Sequence, residues 1–117
     1  IACSQDATYT GMAPEANIIV FKVLAANGQG NFSYVESALQ WVIANAVAYN
    51  IVSVNMSLGD GENYNTPQVD SPGISDELEA LVAMNVITVS AAGNDYYEHQ
   101  AEGVSAAGYD TPSAWCS

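Results

Sequence analysis

A chain of 117 residues has room for one domain or for part of a larger one, and its 50 % hydrophobic content supports a packed core and excludes a disordered tail. Thirteen carboxylates face a single cation, Lys22, for a formal net charge of −12. Such a balance repels phosphate backbones and anionic lipid, which excludes nucleic acid and membrane surfaces as partners, and no run of about 18 apolar residues is present to span a bilayer.

In chain order, residues 1–14 are short and polar, punctuated by Gly11 and Pro14. Residues 17–24 form a β-branched and aromatic run that predicts a strand buried on both faces, broken by Gly28 and Gly30. Ser33 with Glu36 predicts a capping box. Val35, Ala38, Leu39, Val42, Ile43 and Ala46 then recur at helical spacing, with Glu36, Ser37 and Gln40 opposite, so an amphipathic helix should close near Asn50. Residues 51–58 predict a second strand, ended by Gly59, Asp60 and Gly61, and the loop over 61–73 is held irregular by Pro67 and Pro72. A second helix follows, with Ser75 as its cap and Asp76 and Glu77 favouring its N-terminal dipole. Its apolar stripe is Ile74, Leu78, Leu81 and Val82, and Asn85 suits its C-terminal cap. Residues 86–91 predict a third strand, again apolar almost throughout.

Strands alternating with helices imply an α/β fold with a parallel sheet and helices packed on its faces, a three-layer α/β/α arrangement. In such sheets ligands bind at the carboxyl ends of the strands. Three small or glycine-rich segments should meet there: Gly28, Gln29 and Gly30; Ser57, Leu58 and Gly59; and Ala91, Ala92, Gly93 and Asn94. The Asn94 side chain has two readings. Its amide can donate a hydrogen bond to an oxyanion, or Gly93-Asn94 can serve as turn chemistry alone.

Gly11-Met12-Ala13-Pro14 followed by a segment ending Lys22-Val23-Leu24 resembles the G-x-A-P…K-V-L stretch of subtilisin-like serine proteases. Gly28-Gln29-Gly30 is similar to that family's glycine-bounded edge segment, Asn55-Met56-Ser57-Leu58-Gly59 to its N-M-S-L-G block, and Ala91-Ala92-Gly93-Asn94 to its A-A-G-N block. The four motifs stand in the family's order and cover most of the chain. The resemblance implies that residues 1–117 are the central part of a subtilisin-like peptidase domain, truncated at both ends, in a secreted serine endopeptidase. It implies Asn94 as the oxyanion donor, and it implies that an extended peptide lies between Gly28, Gln29 and Gly30 on one side and Ser57, Leu58 and Gly59 on the other. Ala91, Ala92 and Gly93 would wall the pocket for the residue before the scissile bond, with Asp95 near its mouth. Phe32 and Val35 would line a more distant apolar pocket, or else pack the start of the helix as core.

The resemblance stops short of the chemistry. The family's aspartate and histidine would precede Ile1 and its serine would follow Ser117, and no G-T-S-M-A motif occurs here. His99 follows the Asn94 block and so reads as a loop histidine. This chain alone is therefore expected to be inactive, its partners being a polypeptide substrate and the flanking parts of its own domain. No cofactor or metal site is expected in this segment, and calcium stays open for the parent enzyme. Asp60, Glu62 and Asp70 have no EF-hand spacing and read as solvated carboxylates. Cys3 and Cys116 lack metal-site spacing and read as free or matched outside the segment, with a mutual disulfide as the other reading. A non-catalytic peptide-binding module is the alternative function. A nucleotide-binding domain is disfavoured, because neither G-x-G-x-x-G nor a P-loop follows the first apolar run.

Overall fold

The longest element, α1 (Phe32–Tyr49), begins at Asn31 in a computed structural model that describes residues 4–6, 8–59 and 73–91. Asn31 has extended backbone, and its Oδ1 accepts the Ser33 backbone N–H at 2.9 Å, so it satisfies one of the amides a helix start leaves unpaired. The expected capping box at Ser33 and Glu36 is thus corrected: Ser33 lies inside the first turn, and Asn31, two residues earlier, makes the cap. Val35, Leu39, Val42 and Ala46 are buried as one stripe, as their spacing requires.

The second helix, α2 (Ser75–Ala83), is capped by Ile74 with no side-chain hydrogen bond. Ser75 is its first helical residue, a second correction, and Asp76 and Glu77 occupy the first turn. The buried stripe runs through Ile74, Leu78 and Leu81, whereas Val82, expected in it, is 69 % exposed. Its rotation of one residue past Leu81 carries it round the helix and off the core face.

Both helices end in the same way. Asn50 (φ 51°) and Asn85 (φ 57°) take left-handed backbone, which asparagine tolerates better than most residues. In α1 the Asn50 N–H reaches Val47 O at 3.3 Å and the Ile51 N–H reaches Ala46 O at 2.8 Å. In α2 the Asn85 N–H reaches Val82 O at 3.0 Å and the Val86 N–H reaches Leu81 O at 2.9 Å. Met84 is the C-cap of α2, and the left-handed Asn85 follows it. Each asparagine turns the chain sharply from a helix into the strand that follows.

Those strands, β1 (Ser53–Met56) and β2 (Ile87–Ser90), pair in parallel with Ser53 opposite Ile87 and Met56 opposite Ser90. The α/β class and the parallel pairing are therefore as expected, with strands shorter than the apolar runs that hold them. Met56 and Val86 join the helical stripes in one core, against which Val54 and Leu58 pack. Along both strands the coverage alternates. Val54, Met56, Thr88 and Ser90 face the covered side, while Ile87 and Val89 stay 66 % and 50 % exposed. Among the described residues the helices thus share a core with one sheet face, and a second helical layer is not among them.

The strand expected over residues 17–24 does not form. Leu24 makes one isolated antiparallel bridge to Gly30, and Val20 is 81 % exposed, with Ile18 and Ile19 also outside the core. A doubly apolar run becomes a buried strand only when neighbouring strands satisfy its backbone and layers cover both sides. Among the described residues no strand pairs along it. Val23 packs against the core, and Phe21 meets Trp41 edge-on with ring centroids 5.3 Å apart.

Candidate functional site

The segment before α1 is a tight hairpin. The Ala25 N–H donates to Gln29 O at 2.8 Å and the Gly28 N–H to Ala25 O at 3.0 Å, while Asn27 Oδ1 accepts the Gln29 N–H at 3.1 Å. Gly28 has φ 81°, a backbone that a side chain would strain. Gly30 is glycine for a different reason. A Cβ there would lie 2.6 Å from Leu24 Cδ2 and 2.8 Å from the Val23 carbonyl oxygen. The first of the expected rim segments is thus a hairpin closed on its own upstream chain, not the free end of a strand.

This hairpin forms one wall of an open cleft of about 510 Å³. Gly28, Gln29 and Gly30 line it together with Phe32 and Val35 from the first turn of α1 and Leu58 and Gly59 from the segment after β1. Leu24 and Asn31 also line it, and neither was singled out from the sequence. Their signals were local ones: Leu24 ends the apolar run, and Asn31 combines a turn residue with a helix start. Among the described residues none of the nine lining side chains is ionisable, so these residues present amides and apolar surface rather than charge.

Ser57 is exposed beyond the end of β1, and its Oγ accepts from Asn55 Nδ2 at 3.0 Å. Gly59 has nothing within 4 Å of the position a Cβ would take, so its backbone faces open space. Ala91, half-buried, continues β2 with its N–H directed at Met56 O, 3.4 Å away. This contact puts the start of the Ala91-Ala92-Gly93-Asn94 block beside the end of β1. Ala92, Gly93, Asn94, Asp95 and His99 lie outside the described residues, as do Cys3, Cys116 and the carboxylates Asp60, Glu62 and Asp70. Among the described residues no group of three or more His, Cys, Asp or Glu side chains is placed to hold a metal ion, and no helix is long and apolar enough to cross a membrane.

Comparison with known proteins places this geometry in context. The sequence pattern of the Subtilase family matches residues 1–115. Subtilisin-like protease 3 of Pseudogymnoascus destructans is 37 % identical over 83 % of this chain and 22 % of its own length. Subtilisin E of Bacillus subtilis is 29 % identical over 73 % of this chain and 19 % of its own length, and an intracellular serine protease of Paenibacillus polymyxa is 32 % identical over 73 % and 23 %. The chain spans about a fifth of the length of these relatives. No solved structure gives a significant match.

Proposed function

Because the chain belongs to the subtilase family, a family of serine endopeptidases, we propose that it supplies the substrate cleft and the oxyanion donor of a serine-type endopeptidase whose triad is carried by flanking sequence. One observation carries the reading: Gly28, Gln29 and Gly30 share one cleft with Leu58 and Gly59, segments separated in sequence by the whole of α1 and β1. An extended peptide laid between two such backbones gains main-chain hydrogen bonds on either side, with side-chain pockets setting preference. Phe32 and Val35, with Leu24 and Leu58 beside them, offer an apolar pocket to a substrate side chain remote from the reacting bond. This reading assigns Ala91, Ala92 and Gly93 to the pocket of the residue that precedes that bond, with Asp95 assigned to its mouth.

In this mechanism a serine of the parent enzyme adds to the peptide carbonyl, whose oxygen takes up the negative charge. The Asn94 side-chain amide donates to that oxygen, and its fixed dipole stabilises charge without reorganising at the moment of reaction. Collapse expels the amine and leaves an acyl-enzyme that water then hydrolyses. The parent acts outside the cell in this reading, and the resemblance to a relative named as intracellular makes activity in culture medium the deciding observation.

The test is whether the parent protein both hydrolyses an extended peptide and is labelled by a fluorophosphonate, which traps an activated serine. We expect both, and neither for the 117-residue chain alone. A parent that binds the peptide without cleavage or labelling would instead support a non-catalytic peptide-binding module.

A further inference from the structure

Among the described residues Glu77 is the one charged side chain that is buried, at 4 % exposure, and it sits in the first turn of α2 between Ile74 and Leu78, both buried. Its Oε1 accepts from Gln40 Nε2 of α1 at 2.9 Å. The same amide nitrogen donates to Glu36 Oε1 at 3.1 Å, so one carboxamide ties two carboxyl groups across the helix seam. Glu77 Oε2 is buried and has no hydrogen-bond partner among the described residues. An ionised carboxylate with an unsolvated oxygen is costly in such surroundings, more so than its protonated form.

We infer that the α1–α2 seam is a proton-operated latch, in which Glu77 takes up a proton as α2 docks on α1, so that the seam holds more tightly in acid than at neutral pH. The charged groups near Glu77 among the described residues are both acidic, while the Gln40 amide and the backbone N–H of the helix start oppose them. From α1 it meets Glu36 through the shared amide, and on its own helix Asp76 precedes it. Strand β2, packed on α2, carries Ile87, Thr88, Val89 and Ser90, none of which titrates. Burial pushes the Glu77 carboxyl above its ordinary value, the Gln40 hydrogen bond opposes this, and Asp76 adds to the rise. Since the folded value lies above the unfolded one, the contribution to stability is complete below the ordinary carboxylate range and is lost as pH rises through the folded value. The latch does not depend on the peptidase reading, because neither Glu77 nor Gln40 lines the cleft.

Thermal melts of the full-length protein at pH 5 and pH 8 test it, with Glu77→Gln as the variant and Glu79→Gln, an exposed glutamate of the same helix, as the control for lost charge. At pH 8 the Glu77→Gln melting temperature should lie above wild type by about 2 °C or more. The gap should narrow towards pH 5, while Glu79→Gln follows wild type at both values. Glu77→Met, of similar length and without charge, should behave as Glu77→Gln does. A Glu77→Gln protein that is less stable at pH 8, or gains no more than Glu79→Gln, overturns the latch. Failure of both Glu77 variants to fold overturns it too, because the carboxylate would then be required rather than resisted.

Discussion

On the proposed function, Asn94→Ala is expected to lower turnover of the full-length protein by roughly 10² to 10³, the range measured when a subtilisin loses its oxyanion asparagine, with little change in KM. The size follows from when the contact is made. A ground-state carbonyl is a weak acceptor, whereas the tetrahedral oxyanion concentrates charge in a site that excludes water, where a fixed donor counts for more than in solution. Removing a bond formed only at the transition state lowers kcat and kcat/KM together. Asn94→Asp should fall further, since it sets a carboxylate against the developing negative charge. Steady-state kinetics on one peptide substrate check both variants. A raised KM at unchanged turnover would assign Asn94 to binding instead and remove it from the chemistry.

Gly30→Val should damage both the fold and substrate binding. Two atoms would block its Cβ, the Leu24 side chain at 2.6 Å and the Val23 carbonyl oxygen at 2.8 Å. The leucine can rotate away, but the carbonyl is backbone and moves only if the bridge between Leu24 and Gly30 opens. Overpacking of this kind costs about 1–3 kcal/mol. Opening the bridge also displaces the wall on which an extended peptide would pair, so KM should rise about tenfold, the equivalent of 1.4 kcal/mol in binding. Gly59→Ala is the matched control for stability, since nothing lies within 4 Å of its added methyl. The urea midpoint should fall for Gly30→Val and not for Gly59→Ala, and the Gly30→Val KM should exceed that of wild type; an unchanged KM would show that the hairpin does not shape the cleft.

These effects bear on what could be read from the chain beforehand. The α1 stripe of Val35, Leu39, Val42 and Ala46 was legible because helical periodicity is a property of the element alone. Asn50 as the α1 terminus was legible for the same reason, since a left-handed turn needs only a suitable local residue. Residues 17–24 misled because strand formation is not local. Their apolar character is real, but pairing depends on neighbours that the run itself does not specify. The cap at Asn31 was hidden by Ser33 and Glu36, which fit a capping pattern two residues too late. Glu77 was the deepest miss. A first-turn acid reads as a solvated dipole partner, and only the packing of α1 against α2 reveals that it is buried on Gln40. At the site, Gly28 and Gly59 have open space where a Cβ would stand, as their reading as open backbone requires, but Gly30 packs closely on Val23 and Leu24, and Leu24 and Asn31 line the cleft through a turn geometry that spacing does not encode.

The peptide cleft itself is tested most directly by a crystal structure of the parent enzyme with a peptide boronate bound to its serine. The peptide backbone should run extended between Gly28, Gln29 and Gly30 and Ser57, Leu58 and Gly59, with Asn94 Nδ2 about 2.7–3.1 Å from the boronate oxygen that stands for the oxyanion. A boronate held elsewhere, or an Asn94 amide turned into the interior, would contradict the account.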